Sequence, residues 1–198
     1  MGTKQRFDLD VTRTKIIELL LRHDPRDLNF SKVSRFLKIP RSTLYYYFGN
    51  RFENLLQDAV KFGVDQFLQT EHLKKYTSYT SWEEFQRQRL ENSLDIVKAF
   101  PWAPLLYIRF RVDPGPLGES VMESERRYLK EYRKICKHFC GREPNINNER
   151  IVAGLKVGLM WGLGSSLPPF EKQNPVDFEE VKKTARAALM PIFKTLLF

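Results

Sequence analysis

The sequence predicts an all-α fold. Apolar residues recur at helical spacing along almost the whole chain, no stretch sustains strict alternation, and capping residues, prolines and glycines cut the pattern into segments of helical length. With 198 residues, 42% apolar and 29% charged, the composition is that of a globular protein of one domain or two small ones. A disordered tail and a fibrous repeat are excluded, and no internal repeat or low-complexity stretch is present.

A first helix is expected after Asp10, with Ile16, Ile17, Leu20 and Leu21 on one face, ending before Asp24-Pro25 because the residue before proline disfavours helix. Asn29 has the chemistry of the next N-cap. Leu28 before it and Val33 five residues later have the spacing of a hydrophobic staple, so a short helix runs from Phe30 to about Leu37. Lys38-Ile39-Pro40 breaks it, and a third helix runs from about Arg41 to Tyr47 before Gly49 stops it. Asn50-Arg51-Phe52-Glu53 resembles a capping box with Asn50 as the cap. It opens a longer helix carrying Phe52, Leu55, Leu56, Ala59, Val60 and Phe62, which leads out of a first domain.

Ser81-Trp82-Glu83-Glu84 is an S-x-x-E capping box that starts a helix reaching about Phe100, where Pro101 and Pro104 interrupt the pattern. Asp113-Pro114-Gly115-Pro116 is the clearest loop. From about Leu117 to Phe139 a helix follows, with Val121, Tyr128 and Ile135 at heptad spacing beside Leu129, Tyr132, Cys136 and Phe139; Gly141 ends it. Two last helices are expected over Asn147 to Leu167 and Asn174 to Leu197, the latter capped by Asn174 with Pro175 at its first position and Pro191 kinking or ending it.

Gly154, Gly158 and Gly162 recur every fourth residue in the first of these, an apolar helix broken by Lys156. Its apolar run of about 17 residues is short of the roughly 20 needed to span a bilayer, so no membrane partner is expected. Each interior glycine costs about 1 kcal/mol relative to alanine, so the stripe calls for a close approach by another helix, from the same subunit or a partner.

Charge narrows the function. There are 33 basic residues against 24 acidic ones, a formal net charge of +9. Residues 22 to 51 hold Arg22, Arg26, Lys32, Arg35, Lys38, Arg41 and Arg51 against Asp24 and Asp27, a net of +5. Nucleic acid, anionic lipid and a merely solvated face all fit such a cluster. The two cysteines, Cys136 and Cys140, are too few for a disulfide framework and the first ten residues lack an apolar signal core, so a cytoplasmic location is expected. On one helix Cys136 and Cys140 share a side while His138 projects about 200 degrees away, so no metal site is expected. The histidines are His23, His72 and His138, no phosphate-cradling glycine loop occurs, and no nucleophile pairs with a base, so the chain reads as no enzyme and no cofactor is expected.

A helix, a tight turn and a second short helix, with the basic excess centred on them, make a helix-turn-helix whose second helix would lie in the DNA major groove. Arg41 at its start can reach a guanine edge or a phosphate, and Ser42 and Thr43 can donate to either. Tyr45, Tyr46 and Tyr47 fan through about 200 degrees at 100 degrees per residue, so they cannot all face one way. Leu44 and Phe48 read as core, and Asn29 both caps its helix and can leave that helix N-terminus pointing at phosphate.

The run from Val33 to Arg51, and above all Thr43-Leu44-Tyr45-Tyr46-Tyr47-Phe48, closely resembles the T-L-Y-x-[HY]-F signature of the tetracycline repressor (TetR) family, over about residues 28 to 56. The resemblance implies a helix-turn-helix DNA-binding domain over residues 1–54 and a helical ligand-binding and dimerising domain over residues 55–198. It places Tyr45 and Tyr46 against DNA, Tyr47 where the family has a phosphate-binding histidine, and Arg51 where it has a lysine. Ser34 and Leu37 stand where the family has alanines, Lys38 replaces the turn glycine, Pro40 the N-cap serine and Ser42 a glycine. Lys38 must therefore adopt a glycine-type conformation at a cost of about 1 kcal/mol, and Pro40 offers no side-chain cap.

By the same resemblance the last two long helices form the dimer interface, with Gly154, Gly158 and Gly162 in it. A pocket for an apolar or amphipathic small-molecule effector would draw on Phe85, Trp102, Tyr107, Phe110, Tyr128 and Trp161, and Arg109 and Arg111 could neutralise an acidic ligand, although solvated surface arginines are the plainer reading. The expected protein is a homodimeric, ligand-responsive transcriptional regulator acting as a repressor on double-stranded DNA. The alternative is a nucleoid- or division-associated DNA binder of the same fold without a small-molecule switch.

Overall fold

The computed structural model describes residues 7–69 and 73–143, with positions 158, 179, 180, 183, 184, 186 and 187. Among the described residues there are seven helices and two 3-10 turns, and no strand.

Helix α1 (Leu9–Arg22) starts two residues earlier than the sequence suggests, because Asp8 caps it. The Asp8 carboxylate accepts from the backbone N–H groups of Asp10 and Val11, both at 3.0 Å, and Asp10 is left in the first turn, where a negative charge suits the helix dipole. Ile16, Ile17, Leu19 and Leu20 are buried, whereas Leu21, expected in that stripe, is half-buried. A single 3-10 turn, Pro25–Asp27, leads to α2 (Phe30–Leu37). Asn29 caps α2 by accepting from Lys32 N at 3.0 Å, and the staple residues Leu28 and Val33 are both buried.

Helix α3 (Arg41–Phe48) ends at Gly49, whose φ of +77° is the left-handed region that glycine enters without strain. Helix α4 (Phe52–Leu68) begins one residue later than an Asn50 cap would place it. Helix α1 packs on α2 and α2 on α3.

Helix α5 (Trp82–Ala99) is capped by Ser81, which accepts from Glu84 N at 3.2 Å. The return arm of the box is displaced by one residue: the Glu84 carboxylate accepts from the backbone and hydroxyl of Thr80, at 2.9 and 2.7 Å, and these bonds hold it below the usual carboxylate range. Helix α6 (Ala103–Arg111) lies where Pro101 and Pro104 were read only as interruptions. Pro104 sits in its first turn, where the missing N–H has no intrahelical partner to lose. Helix α7 (Pro116–Cys140) follows, and Gly141 at φ +69° ends it as expected. Its Gly118 is a true close approach, since a Cβ there would stand 1.9 Å from the Asp113 carbonyl oxygen.

The chain divides into two compact units, Met1–Val64 with Leu106–Glu123, and Asp65–Leu105 with Ser124–Phe198. The first unit thus runs ten residues past the expected boundary at 54 and takes in a returning segment. Two sets of side-chain contacts lie within this unit. Arg13 on α1 holds Asp58 on α4 side-on, Nε to Oδ2 at 2.7 Å and Nη2 to Oδ1 at 3.0 Å, and this pairing raises the arginine further above its ordinary value. Arg109 on α6 donates to the carbonyls of Leu20 and His23 at the end of α1, satisfying acceptors the helix leaves open.

In the second unit Leu73, Phe85 and Ile135 are fully buried, with Tyr76, Tyr79, Trp82, Tyr128 and Phe139 packed around them. Cys136 is buried and Cys140 half-buried, while His138 is exposed on another side of α7, its ring 5.1 Å from that of Tyr76. The helices predicted over 147–167 and 174–197 lie outside the described residues except at the seven single positions, all of them helical. Among the described residues no helix is long and apolar enough to cross a membrane.

Candidate nucleic-acid interface

The turn between α2 and α3 has a specific geometry. Lys38 adopts φ 55° and ψ 36°, the left-handed conformation its position demands. Its N–H reaches the carbonyls of Ser34 and Arg35, and the Ile39 N–H reaches back five residues to Ser34 O at 3.1 Å, a Schellman closure. Ser34, standing where the signature has alanine, adds a bond that alanine could not make: its hydroxyl donates to the Ile39 carbonyl at 2.6 Å. The same residue therefore offsets part of the strain at Lys38.

Pro40 takes the N-cap position of α3 with no side-chain hydrogen bond, and its carbonyl accepts from Thr43 N at 3.0 Å. The first N–H groups of α3 thus keep no side-chain cap, and a helix start of this kind suits an anionic oxygen.

Leu44 and Phe48 are buried and anchor α3 from below, as the sequence predicts. Around them Asn29, Arg41, Ser42, Tyr45, Tyr46, Tyr47 and Arg51 are exposed, and Thr43 is half-buried. Arg41 is not a loose side chain: Nη1 donates to the Ser31 hydroxyl at 3.3 Å, which ties the head of α3 to the first turn of α2.

The three tyrosines differ, as their angular spread requires. Tyr46 projects at 82% exposure, its ring edge-on to that of Tyr47 at 5.0 Å. Tyr45 is 41% exposed and meets the Phe30 ring edge-on at 4.6 Å, so it both packs and presents its hydroxyl end. Tyr47 is stacked on Phe7 at 4.1 Å with an interplanar angle of 15°. Phe7 and Ser31 are the two site residues that sequence reasoning missed. For Phe7 a signal existed, an aromatic directly before the Asp8 cap; for Ser31 there was none, because its role depends on the crossing of α2 and α3.

The expected effector residues fall in both compact units. Phe85 and Tyr128 belong to one aromatic cluster. Half-buried Trp102 lies 5.3 Å from Phe100, whereas Tyr107 and buried Phe110 fall in the other compact unit. The chain passes from one unit to the other within α6, a helix the sequence pattern did not predict. Arg109, considered as a partner for an acidic ligand, is committed to the end of α1 instead. Of the expected dimer glycines only Gly158 is described; it is helical and exposed, and a Cβ there would meet nothing within 4 Å. Gly154, Gly162 and Trp161 lie outside the described residues.

Among solved structures the chain is similar to the TetR family transcriptional regulator PfmR from Thermus thermophilus, with a TM-score of 0.59 over 90% of this chain and 96% of that one, at 16% identity. The fold is that of a TetR family regulator. A second similar structure is the TetR family repressor AlkX from Dietzia sp. strain DQ12-45-1b, implicated in biodegradation of n-alkanes, with a TM-score of 0.49, 17% identity, and coverage of 95% of this chain and 97% of that one. No protein-family model matches the sequence, and no curated protein is significantly similar to it. The TetR-type fold agrees with the all-α expectation over most of the chain's length, well beyond the short signature on which the resemblance rested.

Proposed function

We propose that this chain is a homodimeric, ligand-responsive transcriptional regulator that acts as a repressor, reading a palindromic operator through α3 of each subunit. The observation that carries the reading is the surface of α3: Arg41, Ser42, Tyr45, Tyr46 and Tyr47, with Arg51 beyond its end, are exposed over an anchor of buried Leu44 and Phe48.

In this reading Arg41 and Ser42 contact base edges at the start of the helix, with Thr43 beside them. Tyr45, Tyr46, Tyr47 and Arg51 hold the phosphate backbone, and the N-terminus of α2 behind Asn29 faces a further phosphate. A C2 dimer supplies two such helices, which meet successive major grooves about 34–36 Å apart. An apolar or amphipathic effector releases DNA by favouring a conformation in which that spacing no longer fits.

The test is selection of genomic DNA fragments by the purified protein at roughly physiological salt with excess nonspecific competitor, where specific binding exceeds nonspecific by about 10³ or more. A few recovered sites sharing an inverted repeat are expected. Uniform recovery would replace the regulator with an architectural DNA binder, and no recovery would remove DNA from the account.

A further inference from the structure

Among the described residues of the second compact unit, one cation is buried. Arg89, on α5, is 5% exposed, and no other lysine or arginine among the described residues is buried. Its guanidinium lies 4.9 Å from the ring centre of Tyr132, 5.6 Å from Phe85 and 5.7 Å from Tyr128. Its hydrogen bonds go to neutral acceptors, Nη1 to Gln86 Oε1 at 3.3 Å and Nη2 to the Tyr128 hydroxyl at 2.7 Å. Among the described residues no carboxylate pairs with it.

Two buried polar atoms here have no partner, Arg89 Nε and Gln69 Oε1. Gln69 is close by, since its Nε2 donates to the Arg89 carbonyl at 3.3 Å and to the Ser93 hydroxyl. The Tyr132 phenol, accepting from Gln86 Nε2 at 3.1 Å, is pushed up by burial and stays neutral, so it supplies no counter-ion. A buried charge with no opposite charge among the described residues, and with an idle donor, is an expensive arrangement for a fold to retain.

The idle donor also has a direction. Nε–H and the Nη2 group form one edge of the guanidinium, the fork that a carboxylate engages with two parallel hydrogen bonds. Of the groups around Arg89, Phe85, Gln86 and Tyr132 are buried, and Tyr128 alone is half-exposed. An anion reaching Arg89 therefore arrives past Tyr128, replaces its hydroxyl on Nη2 and takes the free Nε–H. The rings of Phe85, Tyr128 and Tyr132, packed around the guanidinium, are the apolar surface such a molecule would meet.

We propose that Arg89 anchors a ligand site for a small monocarboxylate with an aromatic or aliphatic body. One guanidinium, with no second buried cation among the described residues, matches a single negative charge better than a phosphate dianion. This deepens the ligand-responsive reading above and rests on it for its regulatory meaning, while the site stands on its own geometry.

The test is thermal unfolding of the full-length protein with benzoate, phenylacetate, octanoate and decanoate, each compared with its primary amide. A concentration-dependent rise in Tm is expected for at least one carboxylate and not for its amide. Arg89→Met should abolish the rise, while Tyr128→Phe, which keeps the ring and removes the competing hydroxyl, should preserve it. If Arg89→Met does not fold, Arg89→Lys carries the comparison, with binding weakened about tenfold by loss of the fork. No carboxylate-specific rise across the panel, or a rise that survives loss of the guanidinium, would overturn the site. A carboxylate that binds through Arg89 and leaves operator DNA bound would keep the site and remove the ligand switch. Carboxylate binding in a protein that recovers no DNA would keep the site and remove the regulator.

Discussion

Lys38 shows what one residue can cost and how a neighbour offsets it. A non-glycine residue in the left-handed region is disfavoured by about 1 kcal/mol, and Lys38 is held there by the Schellman closure and the Ser34 hydroxyl. Lys38→Gly is therefore expected to raise stability by about 1 kcal/mol, or Tm by about 2–4 °C, in a thermal melt. Ser34→Ala should lower stability by a similar amount, since it leaves the Ile39 carbonyl without its hydroxyl donor. The two basic residues at either end of α3 should separate by function. Arg41→Ala is expected to weaken specific DNA binding by about 1–3 kcal/mol while sparing nonspecific DNA. Arg51→Ala should weaken all DNA about equally and reduce the salt slope by about 1. Competition binding at several salt concentrations distinguishes the two, and indistinguishable variants would contradict the division of roles.

At the scale of elements, the helix-turn-helix is held by contacts at its edges. Phe7 packs on Tyr47 from the segment before α1, so the ring expected at phosphate is oriented by another element. A stack of this kind is worth about 0.5–1.5 kcal/mol, so Phe7→Ala should cost about 2- to 10-fold in DNA affinity. In a double-mutant cycle it should add almost nothing once Tyr47 is alanine. The 3-10 turn joining α1 to α2 is set by Asp24, which accepts from Arg26 N at 2.9 Å and pairs with its guanidinium at 2.7 Å. The Arg26 side chain, with its backbone N–H, holds the Asp24 carboxyl down at about 2. Because the folded value lies below the unfolded one, this pairing favours the fold above the ordinary carboxylate range and loses its effect as pH falls toward 2. An NMR titration should find the Asp24 midpoint near 2, moving up toward 3.8 in Arg26→Ala.

For the molecule as a whole, the proposed dimer gives Gly158 its meaning. Within one chain a Cβ at this position meets nothing within 4 Å, so a larger side chain there has room in the monomer. Gly158→Leu should therefore stabilise the single chain by up to about 1 kcal/mol through helix propensity and yet weaken self-association, which sedimentation at graded concentrations reads directly. Loss of dimer should carry loss of palindrome binding with it, since one α3 reaches one half-site.

Much of the helical framework could be read from the sequence because its causes are local. Asn29 and Ser81 cap the helices they were expected to cap, Gly49 and Gly141 stop theirs, and the Thr43 to Phe48 signature marks α3 with Leu44 and Phe48 turned inward. Lys38 was legible through the resemblance, which has a glycine at that place in the turn. The start of α1 at an Asp8 cap and the turn of Glu84 to Thr80 are also local, but competition among neighbouring side chains for the free N–H groups decided them. Other features were not local. The burial of Arg89 among Phe85, Tyr128 and Tyr132, the tie from Arg41 to Ser31 and the commitment of Arg109 to α1 arise where helices cross. Periodicity and capping act within a few residues, so the amino-acid order alone dictates most of the helices, their ends and the exposed face of α3. Which charges are buried, and what they touch, follows from the packing of segments far apart in the chain, and no local pattern encodes it.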